Sequence, residues 1–212
     1  MWFRLSLVVF LSVTVFSRST EGIFNINLNS VRSTFTATDC GGRNAALRFN
    51  SVSVTPQPIA MPGTIRIAVN VEIVRNISQT MSAMITVARR VDFGFLGHTW
   101  FDVTPPCPPG QQCRTDMCSI INNTVQSQGC PAEVIGNGFT CTCPPTMGSY
   151  VTRRNLPLLV EIRESDLPHQ IVRDLIRGTY KIRASMYDGS GSSVGCFEAR
   201  FGLVPGPNRP NP

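Results

Sequence analysis

Lysine is almost missing from this 212-residue chain: of its 19 basic residues, only Lys181 is a lysine. Histidine is confined to His98 and His169, and the only tryptophans are Trp2 and Trp100. No Cys-x-x-Cys pair occurs, which removes the commonest spacing of a structural zinc site and sets aside the competing use of clustered cysteines. The acidic residues are dispersed, with Glu161, Glu164 and Asp166 the only tight group. Neither histidine accompanies a recognisable nucleophile, so the chain is expected not to be an enzyme, with no cofactor and no metal. A hydrolase built on two carboxylates is the competing reading, and no feature singles out a pair. Beyond the first 20 residues, no apolar run approaches the roughly 20 needed to span a bilayer.

What is present begins with an export leader. Arg4 supplies the positive start, Leu5 to Phe16 is an almost unbroken apolar run of 12 residues, and Ser17-Arg18-Ser19 offers small residues for cleavage. Residues 1–19 are expected to be a signal peptide and the protein to be lysosomal or secreted. Loss of Arg4 and Arg18 takes the net charge from +6 to +4, with 17 basic against 13 acidic residues. Arginine matches phosphate and carboxylate groups bidentately, which favours an anionic partner such as an acidic membrane surface; a solvated basic surface is the plainer reading. The arginines are too scattered for a nucleic-acid footprint, and no nucleic-acid partner is expected.

Eight cysteines behind a leader read as a disulfide framework. Six of them crowd into the 37 residues from Cys107 to Cys143, a segment that reads as loop-rich, while Cys40 and Cys196 stand far to either side. The sequons Asn76-Ile77-Ser78 and Asn122-Asn123-Thr124 mark Asn76 and Asn122 as glycosylation sites of a secretory protein.

The body of the chain reads as strands. Thr64 to Arg75 puts Ile65, Ile67, Val69, Val71 and Ile73 on one face against Arg66, Asn70 and Glu72, the period of two of a half-buried strand. Ala83 to Val91, Thr179 to Tyr187 and Cys196 to Leu203 repeat the pattern, and Ala46 to Thr55, Thr99 to Val103 and Ser149 to Arg153 follow it more weakly. Proline- and glycine-rich turns between them predict an antiparallel sheet, sandwich or barrel-like cup. One helix is predicted after Asp166, with Pro168 in its first turn, Leu167, Ile171, Leu175 and Ile176 as its stripe, and Gly178 at its end. The tail from Pro205 to Pro212 suits neither ladder nor helix and is expected to be disordered.

Two apolar segments stand apart. Phe93, Phe95, Leu96 and Trp100 cluster around Gly94 and Gly97, and Leu158, Leu159, Val160 and Ile162 follow Pro157. Such segments either fold over a core or stay exposed to meet lipid, membrane or a partner, and Trp and Phe suit the lipid interface.

Several pieces of the chain resemble, in register, the ganglioside activators of the lipid-recognition (ML-type) family, sphingolipid activators that present gangliosides to β-hexosaminidase A. They are Asp39-Cys40, Ser51 to Gly63, Pro106-Cys107, Cys141-Thr142-Cys143-Pro144, Gly148-Ser149-Tyr150, Gly178 to Ile182 and Ser192 to Cys196. All eight cysteines have counterparts, so the resemblance covers about residues 38–204. It implies the pairs Cys40–Cys196, Cys107–Cys113, Cys118–Cys143 and Cys130–Cys141. The loop between Val91 and Cys107 is longer than the family's, and residues 20–37 and 205–212 are additional.

The resemblance implies an all-β fold: an antiparallel β-cup, two-layered and barrel-like, with an apolar lipid cavity, one short helix and four disulfides. Residues 38–204 form this domain, after an N-terminal extension at 20–37. Val69, Val71 and Phe201 are expected to line the cavity. Phe93, Phe95, Leu96, Trp100, Leu158, Leu159, Val160 and Ile162 are expected to contact lipid at its rim. The expected partners are a glycosphingolipid or other acyl lipid, a transient membrane surface and a β-hexosaminidase-like hydrolase. A secreted lipid-binding or signalling glycoprotein with the same cup and no activator role is the alternative, motivated by the extra segments.

Overall fold

The structure is a computed structural model that describes residues 30–77, 80–104, 114–163, 165 and 177–206. Its strands are β1 (Thr36–Asp39), β2 (Leu47–Thr55), β3 (Ile59–Met61), β4 (Gly63–Ile73), β5 (Met81–Asp92), β6 (His98–Asp102), β7 (Arg114–Asp116), β8 (Gly148–Val151), β9 (Leu158–Ile162), β10 (Gly178–Asp188) and β11 (Ser193–Pro205). Two helices, α1 (Met117–Gln128) and α2 (Ala132–Gly136), lie between β7 and β8.

The strands form two sheets, as the alternating apolar pattern requires of a fold with one buried face per sheet. The first runs β1-β11-β10-β5-β6, with β3 parallel beside β11 and β7 beside β5. The second runs β2-β4-β8, with β9 also beside β4. The four strands with the clearest period of two in the sequence, β4, β5, β10 and β11, are also the longest.

The sheets meet along one long side. β1 and β11 pack on β2, and Asp39 fixes the junction by accepting the Gly41 amide at 2.6 Å and the Phe49 amide at 2.7 Å. Across the same side the Phe49 and Phe197 rings lie 5.0 Å apart. Cys40–Cys196 ties β1 to β11, reinforced by the Cys40 amide donating to the Cys196 carbonyl at 3.0 Å. Cys118–Cys143 and Cys130–Cys141 are also formed. Cys107 and Cys113 lie outside the described residues.

The cysteine-rich segment differs from the loop that its composition suggests. Asp116 caps α1 by accepting the Ser119 amide at 3.0 Å, and Gly129, with a positive φ of 77°, ends it. Met117, Cys118, Ile121 and Val125 form its less exposed stripe, and Met117 and Cys118 join the core of the cup. The helix predicted after Asp166 falls almost wholly outside the described residues, as does the leader; Gly178, its expected end, opens β10.

The chain before β1 is not free of the domain. The Thr179 hydroxyl accepts the Arg32 amide at 2.8 Å and donates to the Ser30 carbonyl at 2.7 Å. Gly202, opposite Thr179 in register, leaves room for the Arg32 carbonyl where any Cβ would collide. Thr179 is thereby almost wholly buried yet fully engaged.

Candidate functional site

Register assigns the two faces of each sheet. Ala184 lies opposite Ile85 and Phe197, and Ile182 lies opposite Val87 and Ala199, so these six share one face of the first sheet. This face is inward, because its continuation at Ala83 and Met186 shares a core cluster with Leu47 and Ile73 of the second sheet. On the second sheet, Val69 lies opposite Val52, Ile67 opposite Val54 and Leu158, and Ile65 opposite Val160.

Two clusters fill the ends of the space between the sheets. One contains Leu47, Ile73, Met81, Ala83, Cys118 and Met186, with Phe49, Val71 and Tyr150 against it. The other contains Val54, Ile59 and Ile65, with Phe35, Ile162, Phe201 and Leu203 against it. Val69, Ile85, Val87 and Ile182, between the two, belong to neither. Ile85 is 46 % exposed although it points inward from the middle of an internal strand. Its cross-strand neighbour is only Ala184, which leaves the hollow unfilled.

The hollow opens on the long side opposite the Phe49–Phe197 junction. Phe101 of β6, 50 % exposed, is inward by its pairing with Arg89, and Val160 of β9, 41 % exposed, is inward by its pairing with Ile65. Leu159 and Val151 are exposed on the same edge of the second sheet. Among the inward positions of the described strands, Arg89 is the only cation. Its Nη2 donates to the Arg177 carbonyl at 2.9 Å, and its guanidinium lies 6.0 Å from the centre of the Tyr180 ring. Burial pushes the Tyr180 hydroxyl pKa up, against the opposing pull of Arg89.

The residues expected to meet lipid separate into three groups. Val69, Val71, Phe201, Leu158, Val160 and Ile162 point inward. Phe95 and Leu96 form an exposed 3-10 turn at the tip between β5 and β6, with Phe93 half-buried beside them. Trp100 and Leu159 fall on the outer faces, because Trp100 pairs with Arg90 and Leu159 with Arg66. Ile85, on the alternating strand expected to line the cavity with its inward residues, and Phe101 complete the inward set; Phe101 was not among the expected contacts. Asn76 is exposed beyond β4, and Asn122 is exposed on α1. His98 is exposed at the start of β6, while His169 lies outside the described residues.

A disulfide-tied cup of two antiparallel sheets defines the class of protein. The model of the ML domain matches residues 34–203, and the chain belongs to the ML-domain family. Among solved structures, the crystal structure of chicken MD-1 complexed with lipid IVa aligns over 85 % of this chain and 99 % of that one, at 9 % identity and a TM-score of 0.36. Direct comparison with curated protein sequences finds no match.

Proposed function

We propose that this protein binds an acyl lipid between its two sheets and moves it between membranes. The observation that carries the reading is Ile85, an aliphatic side chain left 46 % exposed on the inward face of an internal strand. In a filled core that position would be buried, as Ala83 two residues earlier is. Each methylene of a lipid chain exposed to water costs about 0.8 kcal/mol, so a chain leaves a bilayer only for a comparably apolar surface. The hollow supplies that surface, and Phe101, Val160 and Leu159 mark the side through which a chain would enter. The exposed Phe95 and Leu96 at the tip between β5 and β6 suit contact with the bilayer.

The finer reading is a glycosphingolipid whose headgroup stays outside the cup, within reach of a β-hexosaminidase-like hydrolase, in the lysosome or outside the cell. It rests on the shared cysteine order and on Cys141-Thr142-Cys143-Pro144. The test is mass spectrometry of lipid extracted from the purified protein, followed by transfer of that lipid between liposomes and hydrolysis of a ganglioside with and without the protein. Lipid loading with transfer and faster hydrolysis is the expected result. Transfer without faster hydrolysis removes the activator role and leaves a lipid carrier. Protein that neither retains nor extracts lipid overturns the reading.

A further inference from the structure

We propose that the outer face of the first sheet, turned away from the hollow, binds an acidic polysaccharide through Lys181, Arg183 and Arg200 around Trp100. Lys181 lies directly opposite Arg200 across β10 and β11. Like charges directly opposed in a sheet repel each other. Both are nevertheless held over one indole: Lys181 Nζ is 5.1 Å and Arg200 Cζ is 5.9 Å from the centre of the Trp100 ring. The Glu198 carboxylate, 3.1 Å from Arg200 Nη2, and the negative face of the ring offset the repulsion and keep the two cations together. The chain's single lysine is thus part of a gathered cationic pair.

The surroundings select the ligand. A groove of about 310 Å³ is lined by Thr86, Trp100, Asp102, Lys181, Arg183 and Glu198. The cations match sulfate or carboxylate groups. The Thr86 hydroxyl and the Asp102 carboxylate match sugar hydroxyls, as does the Glu198 oxygen not engaged by Arg200. Hydrogen bonds from Thr104 hold the Asp102 carboxyl below its usual range, so it is charged at neutral pH. An acidic peptide, with carboxylates and few hydroxyls, would meet Asp102 and Glu198 as repulsion. A membrane would need apolar neighbours, but Ile85, Phe101 and Val160 all point inward. A hydroxyl-rich chain carrying spaced anions satisfies both kinds of group.

The site carries its own reporter, since Trp100 is the only tryptophan outside residues 1–19. Full-length protein exported from a eukaryotic host is titrated with size-defined heparin oligosaccharides while tryptophan emission is followed. Binding is expected to shift the emission and to weaken with salt. Lys181→Gln with Arg200→Gln is expected to lower the slope of log affinity against log salt by about 2, one for each lost contact, on counterion-release reasoning. Arg183→Gln, at an exposed position, is expected to weaken binding alone, which covers a double variant that folds poorly. Arg153→Gln with Arg154→Gln, in the exposed turn after β8, is expected to leave binding unchanged. Lipid loading is expected to be retained in every variant, which separates this site from the hollow. Equal loss in the Arg153 and Arg154 control, polyglutamate binding as tightly as heparin, or anionic vesicles competing for the same residues would each overturn the proposal.

Discussion

The Phe49 ring of the second sheet meets the Phe197 ring of the first at 5.0 Å, and beside it the Phe49 amide donates to Asp39 at the end of β1. One residue therefore joins the layers through both its ring and its backbone. This seam holds one long side shut, while the side edged by β6 and β9 has no comparable aromatic pair among the described residues.

Filled and unfilled inward positions should respond differently to substitution. Ile73 is 3 % exposed and Ile85 is 46 % exposed, yet both point inward. Ile73→Ala should lower stability by about 2–5 kcal/mol, the usual cost of truncating a buried aliphatic. Ile85→Asp should leave the melting of lipid-free protein nearly unchanged and abolish lipid loading, because its carboxylate would face an apolar chain. Melting curves with and without lipid distinguish the two. Loading retained by Ile85→Asp would show that the hollow is not the binding site.

Phe95 and Trp100, five residues apart on either side of a strand start, should separate as well. Phe95 is 86 % exposed and touches little. Phe95→Ala should reduce liposome binding without changing melting. Trp100→Ala, on the outer face beneath Lys181 and Arg200, should leave liposome binding intact. The two sedimentation assays with liposomes should therefore differ, and equal losses would return Trp100 to the membrane rim.

The Cys40–Cys196 bridge spans 156 residues. Replacing both cysteines with serine should lower stability by about 2–5 kcal/mol. Chemical denaturation gives the difference directly, and an unchanged midpoint would mean that the Asp39 and Phe49 contacts suffice at this edge.

Acid should remove the contribution of two exposed carboxylates. The Ser119 amide and hydroxyl hold Asp116 below its ordinary pKa of 3.8, and the Ser190 hydroxyl with neighbouring amides does the same for Asp188. A carboxyl depressed on folding stabilises above its unfolded pKa and loses that contribution as pH falls through the folded one. Stability should therefore decline below about pH 3.8, and Asp116→Asn with Asp188→Asn should flatten the decline. An identical acid profile in the double variant would remove both groups from the account.

The long strands were legible because one face of each is buried, which forces the alternation of Ile65 to Ile73 and of Tyr180 to Met186. The outward turn of Trp100 was not. Its parity depends on how many residues the turn after Asp92 consumes, which is fixed by the Phe93–Gly97 hydrogen bond and by Gly94 and Gly97 at positive φ. Leu159 was hidden differently: in the run Leu158-Leu159-Val160 every residue is apolar, so no alternation marks the outer one. Helix α1 has a narrow apolar stripe interrupted by asparagines, and its caps, Asp116 and Gly129, are its clearest sequence signal.

The pairing of β1 with β11 also sets an order of events while the chain is being made. β1 is the first of the described strands to emerge, yet its partner in the first sheet is the last of them, so Thr36–Asp39 and the thiol of Cys40 must wait until residue 196 and its neighbours have emerged. The second sheet carries no such delay in its β2–β4 pair, which is close in sequence, and Cys130 and Cys141 are separated by only 11 residues. During synthesis the β2–β4 pair can therefore form before the pairing of β1 with β11. A truncation just before β11 would leave a nearly complete chain with its leading edge unpaired, a species suited to recognition by chaperones rather than to release.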